Sequence, residues 1–277
     1  TASGYGPVGP DSGEPSFDYM GLARSGIMSA VGEPGQPPMM IRGAIADQMG
    51  AIMLSYTILV ALLARERLGI GQEVHTSHLG SMMALQGLNV ATVLALGQEL
   101  PIRSRENAGN PLWNHYICDD GKWICLGMLE SERYWGDFCR ALGIQRLEKD
   151  PRFDNAIKRK ESSGELISIL DEVFASKSRS EWLRILKESG DFIYTVVNTI
   201  ADLVNDPQAL LNDYIIEYKH PRYNTIKSMG FPYTLSETPA KIQCPSPELN
   251  EHCEEILTEI AGYSQDEVAE FIREEVV

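Results

Sequence analysis

GAIADQMGAIMLSYTILVALLARERLGIGQEVHTS, residues 43–77, reads as a long apolar helix, a glycine-bearing stop and the start of a strand. Residues 44–68 are almost continuously apolar, and apolar side chains on every face of a helix imply burial. The uncharged run 48–64 is short for a bilayer span and carries Ser55, Tyr56 and Thr57, so it reads as a core helix and not a membrane one. Gly69 and Gly71 suit a left-handed stop after Arg67. At the mouth of this helix stands Asp47, with Gly50 three residues on. A carboxylate there is either a cap and partner of the helix dipole or a covalent nucleophile.

Working outward, residues 73–77 read as a short strand followed by a helical stretch over 79–96. On the other side, residues 16–31 have helical apolar spacing (Phe17, Met20, Ile27, Met28) interrupted by Gly21 and Gly26. Asp18 lies near the start of that segment, where a cap is again the simple reading. Residues 1–16 are Gly-, Pro- and Ser-rich loop, and 33–38 (EPGQPP) is a turn. Residues 101–111 are polar and turn-rich, a candidate domain boundary. Beyond it, 113–118 and 122–128 resemble two strands joined by Asp119-Asp120-Gly121. The pattern from 130 to 204 is helical, with a capping box expected at Ser162 and Glu165. Residues 214–218 suggest a strand, and 249–274 an acidic amphipathic helical region. The alternating order is that of an α/β protein with a separate mixed section.

Composition narrows the function. A net charge of −15 argues against a nucleic-acid or anionic-membrane surface, both of which need a basic footprint. Five cysteines, an odd number with no two-residue separation, fit a reducing cytoplasm better than a disulfide framework. His75 and His78 invite a metal, but an odd separation on one strand sends them to opposite faces, and no HExxH accompanies them. No metal site is expected. There is no G-x-S-x-G elbow, no Walker phosphate loop, and no G-x-G-x-x-G after a complete strand.

Several segments in order resemble the family III coenzyme A transferases. SGYGPVGP (3–10) is similar to the family's strand and turn, and residues 15–74 to its catalytic block. NPLWNHYICDDGKWICLGM (110–128), ERYWGDFCRALG (132–143), DPRF (150–153) and FPYTLSETPAKIQCPSPELNEHCEEIL (231–257) follow in the family's order. The resemblance implies an α/β fold: a partial Rossmann-like large domain, residues 1–100 and 226–277, around a smaller mixed α/β domain, residues 101–225. Roughly the amino-terminal third of a typical member has no counterpart here, an expectation about domain anatomy.

By this resemblance Asp47 falls on the catalytic aspartate. The implied reaction exchanges CoA between an acyl-CoA and a free carboxylic acid through aspartyl-anhydride and aspartyl-CoA intermediates. A CoA thioester is then a substrate, and no permanently bound cofactor is expected. The resemblance also places Phe17, Asp18, Gly50, His78, Gly109 and Asn110 near substrate or CoA. Asp18 would tune Asp47 or cap a helix, and Gly109 and Asn110 would lie on a mobile glycine-bearing loop. The related α-methylacyl-CoA racemases carry His where this chain has Phe17, and Phe17 cannot transfer a proton. A racemase, or a non-catalytic CoA-binding or partner subunit, is therefore the alternative. The implied partner is a second copy in an interlocked homodimer, or a missing amino-terminal segment, with no nucleic acid and no membrane.

Overall fold

The computed structural model describes all 277 residues, Thr1–Val277. The chain forms two compact units, Thr1–Val197 and Asn198–Val277.

The first unit opens with β1 (Ala2–Ser3), α1 (Asp18–Arg24), α2 (Ile27–Ala30) and the 24-residue α3 (Ile45–Leu68). Then come β2 (Thr76–Ser77), α4 (His78–Leu85) and α5 (Gly87–Leu96). β1 and β2 pair in parallel, Ala2 opposite Thr76 and Ser3 opposite Ser77. The expected strand over 73–77 is thus two residues long. This parallel pair sets the chain ends that feed α1 and α4 side by side against the first turns of α3.

α3 corrects one expectation. Its composition implied burial, yet Ile52, Tyr56, Leu59 and Leu63 are all more than half exposed, and Ala46 is its only buried residue. Within this chain only the amino-terminal turns of α3 meet a core, a small cluster of Leu22, Met28, Ala46 and Met82. Length and composition make it the one helix able to cross a membrane. Its end carries Arg65, Glu66 and Arg67, and Gly69, left-handed at φ 70°, stops it as expected, its N–H bonding Arg65 O at 2.9 Å.

The remainder of the unit is denser. β3 (His115–Ile117), β4 (Trp123–Leu126), α6 (Ser131–Ala141), α7 (Ala156–Glu161), α8 (Ser163–Phe174), α9 (Arg179–Ser189) and β5 (Tyr194–Val197) follow. The hairpin turns at Gly121, φ 70°. β5 was not expected: residues 194–197 lie in a stretch that reads as helical, and pairing with β4 decides the conformation. The sheet runs β3-β4-β5, all antiparallel. Over it pack Tyr116, Phe138, Phe174, Trp182 and Leu186, with Tyr116 stacked on Phe174 at 4.9 Å. The expected Ser162 capping box is absent: Ser162 makes no side-chain cap, and Glu165 instead pairs with Arg152. Arg159 is buried over the Trp135 ring, held by Phe153 O at 2.8 Å and Glu132 at 2.9 Å.

The second unit contains α10 (Ile200–Leu203), α11 (Pro207–Leu211), the antiparallel hairpin β6 (Ile215–His220) and β7 (Asn224–Met229), α12 (Cys253–Glu255) and α13 (Gln265–Arg273). Ser264 and Glu267 form a capping box that starts α13. The expected helical region over 249–274 is therefore real but broken, at Ala261–Ser264, between a π-helical turn and α13.

Candidate active site

α3 begins unusually. Gly43 (φ 104°) and Ala44 (φ 52°) both take left-handed conformations, and Ala44 has no side-chain oxygen to cap the helix. The first N–H groups of any helix lack intrahelical partners. Here Asp18 supplies the acceptor across space: its Oδ1 takes the N–H of Ala46 at 2.7 Å and of Asp47 at 3.3 Å. Asp18 is itself the first residue of α1, so α1 delivers the cap of α3. The capping role that Asp47 shared as a reading thus belongs to Asp18.

Asp47, in the first turn of α3, is consequently free of capping duty. Its Oδ1 lies 3.1 Å from His78 Nε2, and its side chain is half exposed (52%). The amino-terminal end of a helix carries a partial positive charge that favours an ionised carboxylate. Asp47 therefore presents a carboxylate oxygen at an open helix mouth.

His78 reaches it from the first position of α4. Ser77 caps α4 by accepting from Gly80 N at 3.0 Å, which fixes where His78 enters the helix. The other ring nitrogen, Nδ1, lies 3.1 Å from Ser16 Oγ. Ser16, Asp18, Asp47 and His78 thus form one connected polar group. His75, by contrast, is held between Thr1 Oγ1 (2.8 Å) and Ser3 Oγ (3.0 Å) and serves the β1–β2 pairing.

Close packing around this group depends on glycine. A Cβ on Gly21 would lie 2.8 Å from Ala46 Cβ, closer than real side chains come, and 3.0 Å from His78 Cβ, a very tight contact. One on Gly4 would lie 2.3 Å from Ser16 Cβ. At Gly50 the added atom would sit 3.5 Å from His78 Cδ2, an ordinary contact. Gly50 borders the site without being sterically required there. Ser16, Gly21 and Gly4 were missed from the sequence, because only the three-dimensional approach of α1 to α3 and α4 reveals them. Phe17 is 75% exposed.

Gly109 and Asn110 belong to a different place. They line a groove of about 600 Å³ with Glu33, Arg103, His115 and Lys160, and Asp47 does not line it. The Asn110 side chain is fully engaged in holding the loop: it donates to Met128 O and Leu129 O, both at 3.1 Å, and accepts from Leu112 N at 3.0 Å. In the same groove the Glu33 carboxyl is held below its usual range, first by the Arg105 backbone N–H it accepts at 3.1 Å. Burial, reinforced by Arg105, holds the His115 imidazole below its ordinary range.

Comparison with known proteins gives a consistent result. A profile described as CoA-transferase family III matches residues 1–253. The chain is 29% identical to the (R)-2-hydroxy-4-methylpentanoate CoA-transferase of Clostridioides difficile, over 99% of this chain and 68% of that one. It is 28% identical to the cinnamoyl-CoA:phenyllactate CoA-transferase of Clostridium sporogenes, over 97% and 65%. A crystal structure of a CAIB/BAIF family protein from Brucella suis superposes with a TM-score of 0.82 at 26% identity, covering 93% of this chain and 66% of that one. The chain spans about two thirds of the length of these relatives. On the breadth of the profile match and the shared α/β fold, the chain belongs to CoA-transferase family III.

Proposed function

We propose that the protein of which this chain is part exchanges CoA between an acyl-CoA and a free carboxylic acid, with Asp47 as the covalent nucleophile. The observation that carries this reading is the state of Asp47: half exposed at the helix mouth, relieved of capping by Asp18, with one oxygen engaged by His78. An ionised carboxylate needs no general base. It attacks the thioester carbonyl to give an aspartyl-acyl anhydride and CoA thiolate. The thiolate then attacks the aspartyl carbonyl, giving an aspartyl-CoA thioester and the donor acid, and the acceptor acid reverses the sequence. Splitting the exchange in this way replaces one difficult step with easier ones. The names of the relatives, all CoA-transferases, support the same overall reaction. A CoA thioester is the substrate, and no resident cofactor enters the scheme.

The site requires more than this chain provides. Anhydrides and thioesters hydrolyse, so the reaction needs a water-poor enclosure, whereas Asp47 and the apolar length of α3 are open. We read the exposed Ile52, Tyr56, Leu59 and Leu63 as surface that a second copy in an interlocked homodimer, or a further segment, covers. In that assembly residues 1–100 and 226–277 make the large domain and 101–225 the small one. The five unpaired cysteines support a cytoplasmic setting.

The test is covalent trapping. The native-length protein is incubated with succinyl-CoA, cinnamoyl-CoA and acetyl-CoA in turn, quenched with hydroxylamine, and its peptides are analysed by mass spectrometry. A hydroxamate at Asp47 is the expected product. No modification of Asp47 with any thioester that supports turnover rules the nucleophile out.

A further inference from the structure

We infer that His78 is a catalytic residue of the exchange: its Nε2–H is the oxyanion donor for the two steps in which the carbonyl under attack is that of Asp47 itself. This rests on Asp47 being the nucleophile and gives His78 a specific chemical role beside it.

An ionised carboxylate only accepts hydrogen bonds, so the nitrogen 3.1 Å from Asp47 Oδ1, Nε2, carries the proton. With the proton on Nε2, Nδ1 is free to accept from the Ser16 hydroxyl 3.1 Å away. Gly21 leaves room for the ring against α1, and Gly4 leaves room for Ser16. The imidazole is thereby fixed from two sides while its N–H points at one oxygen of Asp47.

That choice of oxygen divides the chemistry. With Oδ1 held by His78, Oδ2 forms the bond to the acyl carbon and CoA thiolate leaves. Oδ1 is now the carbonyl oxygen of the aspartyl half of the anhydride. When the thiolate adds to Cγ, the electron pair goes onto Oδ1, which becomes an oxyanion 3.1 Å from a donor already in place. Collapse breaks the Cγ–Oδ2 bond and releases the donor acid with that oxygen. The acceptor carboxylate later adds to Cγ of the aspartyl-CoA thioester, and Oδ1 again takes the charge. No proton is gained or lost overall, so a neutral imidazole suffices. Donors aimed at the atom where charge develops typically matter by about 100- to 1000-fold in kcat. The two steps centred on the acyl carbon place their oxyanion elsewhere and do not use His78.

The experiment compares His78→Leu, His78→Gln and Ser16→Ala with the unsubstituted native-length protein, using succinyl-CoA, cinnamoyl-CoA and acetyl-CoA. Steady-state rates are combined with intact-mass measurement of acyl and CoA adducts after acid quench. His78→Leu is expected to lower kcat about 100-fold, leave KM for the thioester within a few-fold, and shift the adduct from CoA towards acyl. His78→Gln, which keeps an N–H, recovers much of the rate and the CoA adduct. Ser16→Ala, acting only through the ring, falls between. If His78→Leu does not fold, the Gln and Ser16 variants carry the same comparison of adducts. Unchanged rates and adduct ratios in the variants, or a loss that Gln does not restore, overturns the role of His78 while leaving Asp47 intact. Absence of any adduct in the unsubstituted protein removes the nucleophile instead.

Discussion

From Leu112 to Phe192 a single apolar cluster takes in Trp135, Phe138, Phe153, Phe174 and Trp182, whereas the segment carrying Asp47 buries only Leu22, Met28, Ala46 and Met82. Both belong to the same compact unit. The first region encloses its own core. The second holds its polar group in tight register through glycines and a borrowed cap, yet leaves its longest helix bare. A polar group can thus be locally well formed at the end of a helix whose apolar length stays exposed.

The sharpest way to break this contrast is a pair of truncations. Trp182→Ala removes a fully buried ring whose Nε1 donates to Phe174 O at 2.9 Å. It is expected to cost about 3–5 kcal/mol in urea denaturation. Leu59→Ala, at 65% exposure, is expected to change the stability of the 277-residue chain by less than about 0.5 kcal/mol. If Leu59→Ala is as damaging here as Trp182→Ala, α3 is not bare and the comparison fails. A much larger effect of Leu59→Ala in the native-length protein would sharpen it.

Gly21→Ala comes next. The added methyl meets Ala46 and His78, so a cost of about 1–3 kcal/mol is expected from overpacking, together with loss of CoA transfer as His78 is displaced. Gly50→Ala, with only an ordinary contact, should fold normally, and circular dichroism melts separate the two. Asp18→Ala follows, with about 0.5–2 kcal/mol lost with the cap of α3. Asp18→Asn retains an oxygen acceptor and should restore most of that stability in the same melts. Ala44→Gly is expected to act in the opposite direction, as a small gain. Relief of a left-handed alanine, about 1–2 kcal/mol, is partly offset by the freer unfolded chain, about 0.4–1 kcal/mol. A gain near 0.5 kcal/mol is expected.

The thiols report on the dense region from another direction. Burial pushes the Cys118 thiol up to about 11 and the Cys139 thiol up to about 12. Both lie in the dense region, so at pH 8 they remain protonated and resist iodoacetamide until unfolding. Exposed Cys244 alkylates in the native protein. Mass mapping of carbamidomethyl groups reads this directly, and rapid native labelling of Cys139 would show that its core is open.

Much of this was legible in sequence, for physical reasons. A nearly continuous apolar run and Gly69 located α3, and Asp119-Asp120-Gly121 located the β3–β4 hairpin, because both signals are local. β5 was not legible: its pairing to β4 spans some seventy residues and overrides the local pattern. The burial of α3 was misread because an all-apolar helix specifies that something must cover it, not what. At the site, Asp47 and His78 stood out as residues, but their link through Ser16 did not. That link requires the β1–β2 register and the absence of side chains at Gly4 and Gly21, neither of which has a spacing rule. Asp18 and Asp47 shared the expectation of a cap, and only the geometry divides the roles.

The most direct test of Asp47 as the exchange centre follows one oxygen. In a single turnover of the aspartyl-CoA form with an acceptor acid labelled with 18O in both carboxylate oxygens, the acceptor attacks Cγ and the thiolate then attacks the acceptor carbonyl. One labelled oxygen should remain on the Asp47 side chain, seen as a single 18O in the peptide containing that residue. A product thioester that forms while every peptide stays unlabelled would contradict the mechanism.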